Sequence, residues 1–347
     1  MAIVVAGFLT LATTVALFLL QPTLVAYGLV AFSALVAVGW FRYQAAIARL
    51  VTLAATVSTL LTIGFITYFL FASAWPAVRE HGLELLLLPQ GMWFFGLDAV
   101  LPVADSYWNP LSGAYSLLPW IWGTVVVTVI ATAVAGPFGL LGALFISQVA
   151  GDRLRAVIKP GVEILAGIPS IVYGFIGFTI LNGFIQEAFL DDGASFLIAG
   201  IVVGVMALPT VVSVSEDTLS SVPASMGDGS IAMGATEWQT MKSIQIPAAF
   251  SGISAAVILG IGRAIGETMA VAAIMASGTT YADPLWDLFD SHVTLTSLIA
   301  TQYGSASEST VDVLFVAGVM LFTIVALTSI LSQLIERRLQ QSLRGEQ

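Results

Sequence analysis

Residues 1–41 read MAIVVAGFLTLATTVALFLLQPTLVAYGLVAFSALVAVGWF, and none of them is charged. As one helix, the stretch would be roughly 60 Å long, about twice the thickness of the hydrocarbon layer of a membrane. Gln21-Pro22 is the only interruption, and it predicts two spans, about 2–20 and 23–41. A cleaved signal peptide is the alternative, but that requires a basic N-terminal region, and the first arginine is Arg42.

The composition of the whole chain excludes a soluble protein. Of 347 residues, 58% are hydrophobic and 9% are charged, with a mean hydropathy of +0.97, whereas soluble domains carry about 25% charged residues. The apolar runs are long and unbroken, without the alternating polarity of barrel strands. The sequence therefore predicts an all-α integral membrane protein. The formal charge of −10 argues against a nucleic-acid partner.

Further apolar runs predict six more spans, which gives a polytopic bundle of about eight transmembrane helices. The runs are about 50–75, 119–148, 164–186, 193–215, 252–277 and 313–335. Three of them, 164–186, 193–215 and 313–335, are bounded by acidic residues, and their 23 residues are enough to cross a bilayer with some tilt.

The distribution of basic residues predicts the orientation. If the N-terminus is cytoplasmic, nine of the eleven Lys and Arg residues fall in inside segments, Arg79 lies outside and Arg263 lies within a span. The nine are Arg42, Arg49, Arg153, Arg155, Lys159, Lys242, Arg337, Arg338 and Arg344. By the positive-inside rule, we expect a multi-pass plasma-membrane protein with both termini in the cytoplasm.

The loops predicted to lie outside are acidic. Their acids are Glu80, Glu84, Asp98, Asp105, Asp191, Asp192, Asp283, Asp287, Asp290 and Glu308. The first of these loops, residues 76–118, also holds Trp93 and Trp108, and Trp120 follows it closely. The pattern predicts a solvated cap with an interfacial aromatic belt. A docking surface for an extracytoplasmic partner is the alternative.

The cytoplasmic stretch 216–251 is too apolar to be a simple linker. Its apolar residues recur mostly at three-residue steps, which predicts short amphipathic helices. These residues are Ile231, Met233, Trp238, Met241 and Ile244. A helix lying on the membrane surface would need basic residues on its polar face, but only Lys242 is present. We therefore expect this stretch to dock into a groove of another protein.

Three sequence motifs resemble those of phosphate-importer permeases of the PstC type. Asp228-Gly229-Ser230, Gly234, Ile244, Ile246 and Pro247 match the spacing of the importer-permease loop signature E-A-A-x-x-x-G, nine residues, I-x-L-P, although the first triplet departs from it. Residues 262–271, GRAIGETMAV, resemble the GRAxGETMAV segment of that family, and residues 163–174, EILAGIPSIVYG, resemble its ExxAxIPSxVYG segment.

The resemblance covers about 120–335 and implies the function and the partners. It implies a six-helix permease domain over 49–347 with a coupling loop at 216–251, and an additional two-helix hairpin over 1–48. It also implies a subunit of an ATP-driven phosphate importer, with Asp228, Gly234, Ile244 and Pro247 in the contact to an ATP-binding subunit. A second permease subunit of the PstA type, an extracytoplasmic phosphate-binding protein and membrane lipid would be the other partners.

Arg263 and Glu267 are the only strong charges well inside a predicted span. A charge at that depth costs about 2.5–3.5 kcal/mol on insertion scales. The two residues are four apart and can pair on one helix face, so a structural ion pair is one interpretation. The other is a translocation path, in which the Arg263 guanidinium donates to phosphate oxygens. Glu267 would then orient Arg263 or accept the proton of monohydrogen phosphate, which sulfate lacks.

Several neighbouring residues are weaker candidates for the translocation path. Pro169 and Pro209 lie inside predicted spans, where proline frees a carbonyl and kinks the helix. Ser170 and Tyr173 follow Pro169, and Thr268 follows Glu267 in the GET motif. Gly262 and Gly266 form a GxxxG pattern, which allows another helix to approach closely, and Gly200 and Gly204 repeat that spacing.

The sequence also limits what the chain does alone. No GxxxxGK[ST] motif is present, so ATP is expected on a partner subunit, and we predict neither a cofactor nor a metal for this chain. A permease for sulfate or molybdate remains an alternative. A stand-alone secondary transporter is a second alternative, in which 216–251 would be only a gate or linker. An intramembrane enzyme would lack a catalytic cluster, because no Cys is present and no His lies in a span.

Overall fold

The structure is a computed structural model in which helices dominate. It describes residues 2–86, 88–89, 103–104, 108–188, 195–275, 287–289 and 294–344. Several residues of the predicted outer loops lie outside this described part, among them Trp93, Asp98, Asp105, Asp191, Asp192, Asp283 and Asp290. The chain divides into two compact units, residues 1–72 and 73–347. The predicted domain boundary after residue 48 stays a prediction.

The first unit begins as a helical hairpin. Helix α1 spans Ala2–Leu20, a single 3-10 turn spans Pro22–Leu24, and helix α2 spans Val25–His81 with a non-helical residue at Tyr43. The predicted interruption at Gln21-Pro22 is confirmed. Helices α1 and α2 are in close contact at Gly28, since a Cβ atom at this glycine would lie only 2.6 Å from the Thr14 hydroxyl of α1. The helices of this hairpin therefore pack through small residues.

Three long helices form the centre of the second unit. Helix α3 spans Leu118–Leu144 and continues as a π-helical turn, Phe145–Val149, while helices α7 and α10 span Phe196–Ser220 and Ile246–Ile265. Cβ atoms at Gly200 and Gly204 would lie 2.5 Å from Ile130 and 2.8 Å from Val134 of α3. The predicted packing role of this glycine pair in α7 is confirmed.

The predicted span 164–186 is broken. Helix α4 spans Asp152–Gly167, and the chain then turns by 90° into helix α5, Ser170–Ile176. A π-helical segment, Gly177–Asn182, and helix α6, Gly183–Ala188, continue α5. The bend occurs because Ile168, which precedes Pro169, takes an extended conformation (ψ 128°). The predicted kink at Pro169 is thus confirmed, whereas Pro209 lies inside α7 without ending it.

The predicted span 252–277 is also broken, and the expectation of one continuous helix there was wrong. Helix α10 ends at Ile265, and helix α11 spans only Met269–Ile274. The three residues between them, Gly266-Glu267-Thr268, form the connection. Residues 276 and 277 lie outside the described part of the chain.

The remaining described elements are short, apart from the last helix. Helix α8 spans Ala224–Ala232, helix α9 spans Glu237–Thr240, and a π-helical turn, Met241–Gln245, joins α9 to α10. Helix α12 spans Leu295–Gln302, a 3-10 turn spans Tyr303–Ser305, and helix α13 spans Glu308–Arg344. A 3-10 turn, Gly82–Leu86, follows α2. Strands β1 (Leu88–Pro89) and β2 (Val103–Ala104) form a parallel pair. Strands β3 (Trp108–Asn109) and β4 (Ala114–Tyr115) form an antiparallel pair.

Trp108 and Trp120, the two described tryptophans of the predicted interfacial belt, lie in the core instead. Trp108 and Trp120 are buried, with ring centroids 5.5 Å apart, and Trp108 lies edge-on to Tyr115 at 5.1 Å. The Tyr115 hydroxyl is 2.9 Å from the Thr310 hydroxyl on α13. These aromatic residues therefore belong to the core between the β3–β4 hairpin, α3 and α13.

Among the described residues, six helices are long and apolar enough to cross a membrane, and the bent pair α4–α5 would make a seventh. The fold is thus a helical membrane bundle, as predicted. The count of eight helices is not confirmed, because the first predicted span appears among the described residues only as a shorter apolar helix, Val5–Phe18.

Candidate functional site

Arg263 lies in the last turn of α10, where the negative end of the helix dipole favours a cation. The side chain is half-buried, and its Nε atom is fully buried without a hydrogen-bond partner. No residue that the structure describes forms an ion pair with its guanidinium. Arg263 is thus a partly desolvated cation with unused donors beside a helix break.

Glu267 does not pair with Arg263, because the break at Gly266 takes the two residues out of one continuous helix. The Glu267 Oε1 atom instead accepts a hydrogen bond from the Ala270 backbone N–H (3.1 Å), which places the carboxylate at the positive end of α11. The Glu267 carbonyl accepts a hydrogen bond from the Thr296 hydroxyl of α12 (2.8 Å). The interpretation of a structural ion pair was therefore wrong.

The glycine pattern next to Arg263 also differs from the expectation. A Cβ atom at Gly262 would meet nothing within 4 Å. Close packing occurs instead at Gly252, which contacts Thr218, and at Gly260, whose Cβ would lie 2.7 Å from Val211. Helix α10 therefore packs against α7 through the face that carries Gly252 and Gly260, and not through the face predicted from Gly262 and Gly266. The face with Gly262 has no close neighbour among the described residues of this chain.

Helix α5 brings Tyr173 close to this break. The Tyr173 hydroxyl donates to the Leu165 carbonyl at the end of α4 (2.9 Å), and the Arg263 guanidinium is near enough to interact electrostatically with it. A Cβ atom at Gly174 would lie 2.8 Å from Ala270 Cα, so α5 and α11 are in backbone contact. Helices α5 and α11, each of which begins directly after a break, are therefore in contact.

Ser170 and Thr268 lie at the starts of the two helices in contact, α5 and α11. Ser170 is the first residue of α5 and is half-buried. The Thr268 hydroxyl donates to the Gly266 carbonyl across the second break (3.3 Å). Of the five predicted path residues, the structure therefore places Tyr173, Arg263, Glu267 and Thr268 around the contact of α5 with α11, and Ser170 at the start of α5.

Two polar residues in this region carry contacts that the sequence did not predict. One is Thr296, whose hydroxyl holds the Glu267 carbonyl. The other is Asn182, which is buried in the π-helical segment, where its Nδ2 atom donates to the Ile274 carbonyl (3.4 Å) and its Oδ1 atom has no partner. Asn182 could have been found from the sequence, because it is a polar residue within the apolar run 164–186.

The predicted coupling loop is mostly helical. Helix α7 continues to Ser220, and the helical segment that begins at Glu237 runs on into α10. Gly234 ends α8 with a φ of +93°, which favours glycine. Gly234 N–H donates to the Ile231 carbonyl (2.9 Å) and Ala235 N–H to the Ser230 carbonyl (3.2 Å). This pattern of two bonds is a Schellman cap, which satisfies carbonyls at the end of the helix.

The coupling segment, which we define as residues 221–247, exposes apolar side chains. Met233 is 90% exposed and Trp238 is 63% exposed, in line with the predicted amphipathic helices that dock into another protein. Met241 is buried and Ile244 is half-buried, so these two face the protein instead. Asp228 is exposed on α8, and Pro247 lies in the first turn of α10.

A cluster of charges next to the coupling segment was not predicted. Glu216, in the last turns of α7, is 1% exposed and forms ion pairs with Arg155 and with Lys159 (2.7 Å) of α4. Lys159 also contacts Asp217 (3.3 Å). Helix α4 carries five charged residues and is not among the six long apolar helices. The hydrogen bond to Glu216 is the main cause that raises the pKa of the Lys159 ammonium above its ordinary value.

Solved structures with a similar fold are membrane transporters. A chain of the bacterial alginate ABC transporter, solved with a pentasaccharide-bound periplasmic protein, is 14% identical with a TM-score of 0.56, covering 86% of this chain and 99% of that one. A chain of the inward-facing MetNI methionine ABC transporter is 19% identical with a TM-score of 0.51, covering 64% and 95%. At such identities the likeness shows only that this chain shares the fold of these transporter chains.

Sequence comparison shows the family. Residues 135–341 match the family described as the binding-protein-dependent transport system inner membrane component. The probable ABC transporter permease protein YqgH of Bacillus subtilis is 39% identical over 239 residues, or 66% of this chain and 76% of the relative. The phosphate transport system permease protein PstC of Xylella fastidiosa is 32% identical over 277 residues, or 74% and 85%. This chain therefore belongs to that family of inner membrane permease components.

Proposed function

We propose that this chain is a permease subunit of an ATP-driven importer of inorganic phosphate and that Arg263 contacts the anion during passage. The observation that carries the proposal is the half-buried guanidinium with a buried, unpartnered Nε atom at the break between α10 and α11. A desolvated cation of this kind is costly unless a ligand or partner compensates it. Relatives with about 30% identity are named as phosphate transport permeases.

The geometry supports a specific division of roles. Because Glu267 caps α11 rather than pairing with Arg263, the planar fork of the arginine stays available for two oxygens of a phosphate. The Oε1 atom of Glu267 is held by Ala270 N–H, and in our proposal Oε2 accepts the proton of monohydrogen phosphate. Tyr173, Thr268 and Ser170 supply hydroxyl groups around the same passage. Sulfate has no such proton at neutral pH, so the carboxylate would repel it.

The proposal includes the partners. A separate ATP-binding subunit would contact the coupling segment through exposed residues such as Asp228 and Met233. Gly234 would shape the turn after α8, and Ile244 of the π-helical turn and Pro247 of α10 would support the segment from the protein side. ATP would bind to that partner, and we propose no cofactor on this chain. An extracytoplasmic phosphate-binding protein would deliver the anion, and a PstA-type subunit would complete the path. The chain would cross the inner membrane with both termini in the cytoplasm.

The test is the substitution Arg263→Gln in the complete transporter. Hydrogen bonds to charged groups contribute about 1.5–3 kcal/mol, so we expect phosphate uptake to fall about tenfold to a hundredfold. Arg153→Gln is the matched control, because Arg153 is an exposed arginine of α4, and we expect it to retain at least about half of the uptake. Both variants should retain the normal amount of assembled complex.

Three results would contradict the proposal. Undiminished uptake by an assembled Arg263→Gln complex would exclude Arg263 from the path. Stronger inhibition by sulfate or molybdate than by unlabelled phosphate would indicate a permease for another oxyanion. Uptake that persists without any ATP-binding subunit would indicate a stand-alone secondary transporter.

A further inference from the structure

We propose that Glu216 is a positioning residue that fixes the end of α7 to α4, so that movement of the coupling segment reaches the helix break before α5. This inference rests on the proposed function. We call the three charged residues Arg155, Lys159 and Glu216 the α4–α7 clamp. The clamp lies apart from the five residues proposed for the translocation path.

Glu216 is held through its carboxylate by groups from two helices, α4 and α7. Its carboxylate is buried and accepts hydrogen bonds from Arg155, from Lys159 (2.7 Å) and from the Ser220 hydroxyl (3.2 Å). The two cations are four residues apart on α4 and therefore share one face of that helix. Because a buried carboxylate is costly without its partners, α4 cannot move away from the end of α7 without losing this compensation.

Burial of the acid favours a positioning role over a role in stability alone. A buried ion pair is often no more stabilising than well-packed apolar residues of similar size, although it does fix geometry. Together with the neighbouring, exposed Asp217, the two cations and the acid of the clamp add no net charge. The buried member of the clamp is Glu216 of α7, while both cations remain partly exposed. The arrangement therefore defines one relative position of the two helices.

The clamp adjoins the coupling segment on one side. Only Ser221, Val222 and Pro223 separate α7 from α8. The Thr240 hydroxyl donates to the Ser230 hydroxyl oxygen (3.0 Å), which joins α8 to the helical segment that leads into α10. Movement of α8 caused by an ATP-binding subunit would thus reach the end of α7 through a short connection.

The clamp adjoins the proposed path on the other side. Helix α4 ends at Gly167, and its Leu165 carbonyl accepts the Tyr173 hydroxyl across the 90° bend. Helix α5 in turn contacts α11 at Gly174 and Ala270. A continuous set of packed contacts therefore connects Glu216 to the break beside Arg263. Contacts alone do not establish energetic coupling, so the coupling has to be measured directly.

The experiment compares Glu216→Gln with Asp217→Asn in the complete transporter, reconstituted in vesicles. Glutamine keeps the shape of the side chain but removes its charge. We expect phosphate transported per ATP hydrolysed to fall at least about fivefold, the lower end of typical couplings between sites, while ATP hydrolysis and assembly are retained. The neighbouring Asp217, whose side chain is 72% exposed, should give a ratio within about twofold of the native one.

A second measurement does not depend on the transported solute. Because the chain has no cysteine, spin labels at Arg153→Cys and at Ser225→Cys, an exposed position of α8, report the distance between α4 and the coupling segment. We expect this distance to be the same in nucleotide-free and ATP-bound complexes with native Glu216. It should change between these two states in the Glu216→Gln background. A labelled native complex that hydrolyses ATP at constant distance but moves no phosphate would support the clamp and contradict only the proposed substrate.

Two results would overturn the clamp. One is an unchanged ratio of phosphate to ATP in an assembled Glu216→Gln complex, and the other is a label distance that varies with nucleotide in the native background. If Glu216→Gln fails to assemble, Lys159→Gln removes a partly exposed cation and leaves Arg155 on Glu216. A reduced ratio for that variant would support the clamp, and a native ratio would contradict it.

Discussion

At the scale of single residues, Gly234 is the position where the coupling segment depends most on the absence of a side chain. Its φ of +93° costs an alanine roughly 1–2 kcal/mol. We expect Gly234→Ala to weaken binding of the ATP-binding subunit about 5- to 30-fold, measured as the affinity of the purified membrane subunits for it. Gly229→Ala is the matched control, because Gly229 lies inside α8 with open space around it. Equal affinity of both variants would contradict the role of the Gly234 turn.

The individual residues of the path were only partly predictable. Arg263 and Glu267 stand out in the sequence because charge is rare in an apolar run. Their partners are not readable, since Thr296 and Glu267 are separated by 29 positions and Glu216 and Lys159 by 57. The sequence places Glu216 at the edge of a cytoplasmic stretch, where an acid would normally be solvated. Only the packing of α4 against α7 makes it a buried ion-pair centre.

At the scale of helices, the contact of α7 with α3 predicts which glycines tolerate a side chain. A Cβ atom at Gly204 would lie 2.8 Å from Val134 and 3.0 Å from the Ala131 carbonyl oxygen, whereas one at Gly136 of α3 would meet nothing within 4 Å. Overpacking costs about 1–3 kcal/mol, so Gly204→Ala should lower the thermal unfolding midpoint of the purified protein. Gly136→Ala should leave it unchanged or raise it, because alanine favours a helix. The reverse order would contradict the packing of α3 on α7.

Helices were more predictable than the places where they break. Long apolar runs predict α3, α7 and α13 well, because burial in lipid requires continuous backbone hydrogen bonding. Pro169 predicts the bend before α5, because a proline disfavours helical geometry at the preceding residue, Ile168. Gly266-Glu267-Thr268 carries no such signal, and its break is held by the contacts of Glu267 with Ala270 and Thr296. For the same reason, the GxxxG pattern at Gly262 and Gly266 did not identify the packed face of α10.

At the scale of the whole molecule, orientation links the path to its energy source. Nine of the eleven basic residues lie on the side predicted to be cytoplasmic, and this asymmetry determines insertion in most membrane proteins. The coupling segment has to face the cytoplasm if an ATP-binding subunit is to reach it. In the predicted orientation, the β3–β4 hairpin faces the opposite side.

Single cysteines test this orientation, because the chain contains none of its own. Met233 is 90% exposed on the coupling segment, and Leu111 is fully exposed (100%) between β3 and β4. We expect a membrane-impermeant thiol reagent to label Leu111→Cys in spheroplasts and Met233→Cys only in inside-out vesicles, with at least about tenfold contrast in each case. Labelling of Met233→Cys from the outside would invert the topology. Such an inversion would remove the coupling segment from the reach of ATP, and the roles proposed for Gly234 and Glu216 would fall with it.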